Sequence, residues 1–177
     1  MERDGFVFQA VVIDGSRALF STFSDIPMQM CHFHQKAIIT RYLTRKPKLR
    51  ASLALKQIIE FLGEIIEQEF KELLAEYIKH WKDFLNEKTF NPETKRYFYT
   101  HKRLRSAVRS LINNLPYLFT YLKYPELNIP NTTNNLDGGR FSHLKKLLKV
   151  HPGMSKEFKK KVVDEILENQ FKRKKME

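Results

Sequence analysis

The chain has 177 residues, a formal net charge of +12 and a single cysteine, Cys31. One cysteine excludes a disulfide scaffold and fits a reducing compartment, and no apolar run nears the roughly 18 residues of a membrane span. The acidic start (Glu2, Asp4) is unlike a signal peptide, and a pI near 9.8 points to a polyanionic partner, nucleic acid before membrane.

The length and a 42% hydrophobic share suit one domain with a real core. Residues 6–13 (FVFQAVVI) are nearly all apolar, the pattern of a buried central strand, and Asp14-Gly15 stops them. Ser16 is a candidate N-cap for a short helix over 17–23. After Pro27, residues 28–33 read as a second strand, with Cys31 and Phe33 on one face and His32 and His34 on the other. A helix follows over 35–43 and closes before Pro47.

The strongest periodicity comes next. Leu55, Ile58, Leu62, Ile65, Ile66, Phe70, Leu73, Leu74, Tyr77, Trp81 and Phe84 recur every three or four residues, which predicts one long amphipathic helix of about nine turns. Tyr77, Trp81 and Phe84 lie on this stripe and read as core. Gly63 is tolerated within it, and Asn91-Pro92 ends it. A helix over 103–122 carries Leu104, Val108, Leu111 and Leu115 inside, with Pro116 as a candidate break. Residues 125–135 read as a loop, and a helix from Asn134 or Asn135 runs through Leu148. The last helix spans 156–171, capped by Ser155. Charge is uneven along this order: residues 52–87 hold eight acids against four lysines, net −4, so the remainder carries +16.

Three groups of residues carry possible chemistry. Asp14 leaves a buried strand, where a carboxylate is held rigidly enough to ligate a metal; an Asp-Gly turn is the simpler reading. Cys31 and His34 have a spacing that suits zinc, but no second half-site exists, so no zinc site is expected and both residues are read as structural. The run Asn131-Thr132-Thr133-Asn134-Asn135-Leu136-Asp137-Gly138-Gly139 opens a helix bearing Arg140, His143, Lys145, Lys146 and Lys149. Short hydrogen-bonding side chains followed by cations suit phosphate contact. For residues 156–175 phosphate contact and a solvated charged helix weigh evenly.

The segments VVIDG, PMQMCHFHQ, RYLTRKP and NTTNNLDGGRFSHLKKLLKVHPGMS, in this order and spacing, resemble bacterial insertion-sequence transposases of the Mutator-like kind. The resemblance covers about residues 6–167. It implies a DDE/D-type catalytic core, here an incomplete RNase H-like α/β fold, mainly α with a small β part and interrupted by an all-helical insertion. Residues 1–47 would be a core fragment with the Cys-x-x-His element Cys31/His34, residues 48–127 the insertion, and residues 128–177 the C-terminal core helices. The acids Asp14 and Asp137 would be catalytic and hold Mg²⁺ or Mn²⁺. Asn134, Arg140, His143, Lys145, Lys146 and Lys149 would contact DNA.

The triad's first acid, expected on an earlier strand, has no counterpart in this chain, so the expectation is a fragment inactive alone. The implied partners are transposon ends and target DNA, with a second copy or intact transposase; the implied setting is the bacterial cytoplasm, at the nucleoid. The competing expectation is a non-catalytic basic DNA-binding or regulatory protein derived from a transposase.

Overall fold

The computed structural model describes residues 7–133 and 142–174. The described residues are mainly helical with two small two-stranded sheets among them, and the chain divides into two compact units, with the boundary after Thr133.

In the first unit, β1 (Val11–Ile13) pairs in parallel with β2 (Met28–Met30), Val11 opposite Met28 and Ile13 opposite Met30. The connection runs through α1 (Arg17–Thr22). β1 is shorter than the apolar run predicts because its partner offers only three residues; Val7 and Phe8, ahead of the ladder, are exposed. The second strand also stops earlier than expected. Cys31 donates its N–H to Ile13 O (2.8 Å), His32 donates to Asn131 O (2.9 Å), and the chain turns at once into α2 (His32–Leu43). His32 and His34 therefore lie on the first turn of a helix, not on a strand face.

The single long helix predicted from the apolar stripe is broken. α3 (Arg50–Glu60) and α4 (Glu67–His80) are separated by a turn in which Gly63 has φ +100°. Most of the stripe survives because both helices face one core: Leu55, Leu62, Phe70, Leu74 and Tyr77 are buried there together with Ile59, which the stripe omitted, whereas Ile66 is exposed. Trp81 and Phe84 pack against it, partly buried. Each fully buried Leu or Phe side chain contributes on the order of 2 kcal/mol of hydrophobic stabilisation. The Tyr77 hydroxyl donates to Ala51 O (2.9 Å), which satisfies a buried polar group between α3 and α4.

After α5 (Lys82–Asn86) the segment expected to be all helical contains a hairpin instead. β3 (Lys88–Asn91) pairs antiparallel with β4 (Arg96–Tyr99). Its turn is fixed by Asn91 Oδ1, which accepts from the N–H groups of Glu93 (2.9 Å) and Thr94 (3.2 Å). Alternating Thr, aromatic and basic residues suit a strand pair better than a helix.

α6 (Lys102–Leu118) runs through Pro116 and breaks two residues later, before α7 (Thr120–Lys123). The break is filled from β2 and the start of α2. Gln29 Nε2 and His32 Nε2 both reach Leu118 O (2.9 and 2.6 Å), Gln29 Oε1 accepts from Tyr121 N (3.0 Å), and Thr120 Oγ1 donates to Met28 O (2.6 Å). Gln29 is fully buried, so these bonds offset the cost of placing an amide in the core. A 3₁₀ turn at Pro125–Leu127 follows. One core, from Met30 to Phe119, thus serves residues on both sides of position 48.

The second unit contains α8 (Ser142–Val150) and α9 (Lys156–Lys174), which pack on each other. Ser155 Oγ accepts from Phe158 N (3.2 Å), the cap expected from sequence. Among the described residues no helix is long and apolar enough to cross a membrane.

Candidate functional site

Asp14 follows the last residue of β1 and is exposed. Its Oδ1 accepts the N–H of Ser16 (2.9 Å), so the carboxylate is held in a local turn and Ser16 makes no side-chain cap to α1. Gly15 has φ +92°, and a Cβ there would lie 2.9 Å from Met30 Cε. Only glycine fits that corner without strain.

Next to this corner Cys31 is fully buried at the start of α2. Its sulfur accepts from Thr133 N (3.3 Å) and Thr133 Oγ1 (3.4 Å), and its thiol reaches Thr132 Oγ1 at 3.7 Å. Burial opposes ionisation of the thiol, but the Thr133 hydroxyl and N–H and the backbone and ring of His34 outweigh it, bringing it down to about 7. Cys31 therefore ties Thr132 and Thr133, and His32 ties Asn131, to the strand end that carries Asp14. Sequence reasoning identified the cysteine but not its threonine partners, about a hundred residues away.

As a ligand, Asp14 offers the hard oxygen that Mg²⁺ or Mn²⁺ takes, and one carboxylate alone does not make a site. Among the described residues no three of His, Cys, Asp and Glu converge. The second expected acid, Asp137, lies outside the described residues, as do Asn134 and Arg140. His143 falls on α8, and Lys145, Lys146 and Lys149 are exposed on that helix.

A cationic recess in the first unit involves none of the residues from which phosphate contact was expected. A cleft of about 900 Å³ opens between α1, α2 and α6, with Gly15, the neighbour of Asp14, in its lining. α2 contributes Ile38, Arg41 and Tyr42; α1 contributes Phe20; α6 contributes Arg103, Ser106, Arg109, Ser110, Asn113, Asn114 and Tyr117. Three arginines line it and, among the described residues, no Asp or Glu does. Among the described residues none of the three arginines is in an ion pair. Arg103 donates to Arg41 O (2.7 Å), which fixes its position against α2, and the Phe20 and Tyr117 rings meet at 4.6 Å.

The signal for this face was present. Arg103, Ser106, Ser110, Asn113 and Tyr117 recur at three and four residues, a polar stripe opposite the buried Leu104, Ala107, Val108 and Leu111. What the sequence lacked was the neighbour: only the packing of α2 alongside α6 turns a solvated face into a recess. Compared with known proteins, the chain matches no protein-family model, no curated protein and no solved structure.

Proposed function

We propose that the chain is a catalytic fragment of a DDE/D-type DNA transposase of the Mutator-like kind, serving phosphodiester cleavage and strand transfer with Asp14 and Asp137 as its acids. The supporting observation is the junction at Cys31. This residue bonds both Ile13, which precedes Asp14, and Thr133, which stands four residues ahead of Asp137 in the chain. Cys31 thus ties the strand end that precedes Asp14 to Thr133, where the described part of the first unit ends; Asp137 itself lies outside the described residues. In this reading β1 and β2 are the remnant of an RNase H-like sheet.

Asp14 and Asp137 would hold Mg²⁺ or Mn²⁺, which when bound supplies activation of water or a 3′-hydroxyl and stabilises the attacking and leaving oxygens. The chain's own residues do the rest. The Asx turn at Asp14–Ser16 aims the carboxylate, Gly15 lets the chain turn there against Met30, and the exposed Lys145, Lys146 and Lys149 neutralise phosphates on DNA.

One observation favours a second reading, a non-catalytic DNA-binding or regulatory protein. Asp14 Oδ1 is already used by Ser16 N, the turn that an Asp-Gly pair makes without any metal. Mn²⁺ titration followed by electron paramagnetic resonance separates the two. The catalytic reading expects weak Mn²⁺ binding that falls at least about tenfold in Asp14→Ala and in Asp137→Ala, with slow or no nicking of supercoiled DNA by the chain alone. Mn²⁺ binding that is absent, or unchanged in both variants, sinks it.

A further inference from the structure

We propose that the cleft between α1, α2 and α6 binds a short single-stranded segment of nucleic acid, with successive phosphates on Arg41, Arg103 and Arg109 and bases against Tyr42 and Tyr117. The inference stands on the lining of the cleft and holds whether or not Asp14 ligates a metal.

Charge selects the class of ligand. Three arginines line one recess and, among the described residues, no Asp or Glu joins them there and none of the three is ion-paired. Bringing like charges together costs free energy that a bound polyanion returns. Guanidinium also matches phosphate geometry with paired donors, which lysine cannot do.

Shape selects among polyanions. A duplex is convex and is read by an element that protrudes into its groove, a helix or a two-stranded ribbon. Here the cations line a concavity of about 900 Å³ instead. That volume is near the upper end for a small-molecule pocket. Arg103 and Arg109 are six residues apart on α6, roughly 9 Å along its axis and about 120° apart around it, and Arg109 stands at the edge of the cleft, bordering a second recess as well. Cations spread over that distance fit more than one phosphate.

The rings complete the argument. Tyr42 and Tyr117 belong to the same lining, with Phe20 set against Tyr117 at 4.6 Å between centroids. A groove that combines cations with aromatic faces is the arrangement by which single strands are held without sequence preference, since every base has a face to stack. Ser106, Ser110 and Asn113 add short donors suited to phosphate and sugar oxygens.

The test is fluorescence anisotropy with a labelled ten-residue oligothymidylate and the whole chain, in EDTA, at several salt concentrations. The oligonucleotide is expected to bind more tightly than a duplex of equal length, and uridine monophosphate at millimolar concentration should not displace it. Arg103→Ala and Arg109→Ala should each weaken binding about fivefold or more and flatten the salt dependence. Tyr42→Ala, at a residue 37% exposed, should weaken binding to a similar degree with little change in salt slope. Thermal melts check that the variants fold. Variants that fold and bind as tightly as the parent overturn the proposal, as does a duplex bound equally well or displacement by the mononucleotide. Because no metal is present, failure here leaves the Mn²⁺ result untouched, and the converse holds.

Discussion

Burial pushes the His32 imidazole below its ordinary value; the bond to Leu118 O works against that shift, and the Lys36 charge adds to it. A histidine lowered in this way takes up fewer protons folded than unfolded. The stability it contributes is complete above the ordinary value of 6.5 and declines as pH falls below it. The chain should therefore show a lower urea midpoint at pH 5.5 than at pH 7.5, and His32→Gln should flatten that dependence while lowering stability at both. An unchanged slope in the variant would assign the effect to other groups. Little of this was legible beforehand. PMQMCHFHQ marked the neighbourhood, but the roles inside it follow from contacts with residues 118–133, which one-dimensional spacing does not report. Gln29 is the clearest case: a glutamine in a short apolar strand reads as an interruption, yet it holds three backbone groups.

At the level of elements, the turn between α3 and α4 depends on Gly63. Its φ of +100° is a conformation that side chains rarely adopt, and a Cβ there would stand 3.3 Å from His32 Nδ1. Gly63→Ala should cost roughly 1–3 kcal/mol and lower the thermal midpoint by several degrees, whereas Gly153→Ala, with nothing within 4 Å, should change it little. Equal melts for the two variants would refute this account. The apolar stripe that joins α3 to α4 was readable because burial imposes it. The break was not, since Leu55, Ile59 and Leu62 stay in step with Phe70, Leu74 and Tyr77 around one core. The hairpin β3–β4 was missed for the opposite reason. Its strands are largely exposed, so no burial pattern announces them, and its stability comes from the Asx turn and from Arg105 stacked 3.6 Å over Tyr99.

For the molecule as a whole, the core cluster is contained between Met30 and Phe119, and the first compact unit ends at Thr133. A chain of residues 1–133 should therefore unfold in a single cooperative transition, with coincident circular dichroism and tyrosine fluorescence; a broad or two-step melt would contradict it. The uneven charge seen in sequence has a structural counterpart. Acidic residues concentrate on α4, where Glu67 pairs with Lys71 (2.7 Å) and Lys123 (3.1 Å), while the cleft on α6 collects arginines that make no ion pair among the described residues. Composition gave only the net positive charge; the fold shows where three of the cations meet. The bonds on Leu118 O have one more consequence. Gln29 and His32 fasten the end of α6 to the strand whose partner leads into Gly15, so two walls of the cleft are already tied together in the free chain. A ligand arriving there finds its surface in place rather than assembling it, so its association rate should follow diffusional encounter and charge steering, with no slow rearrangement phase.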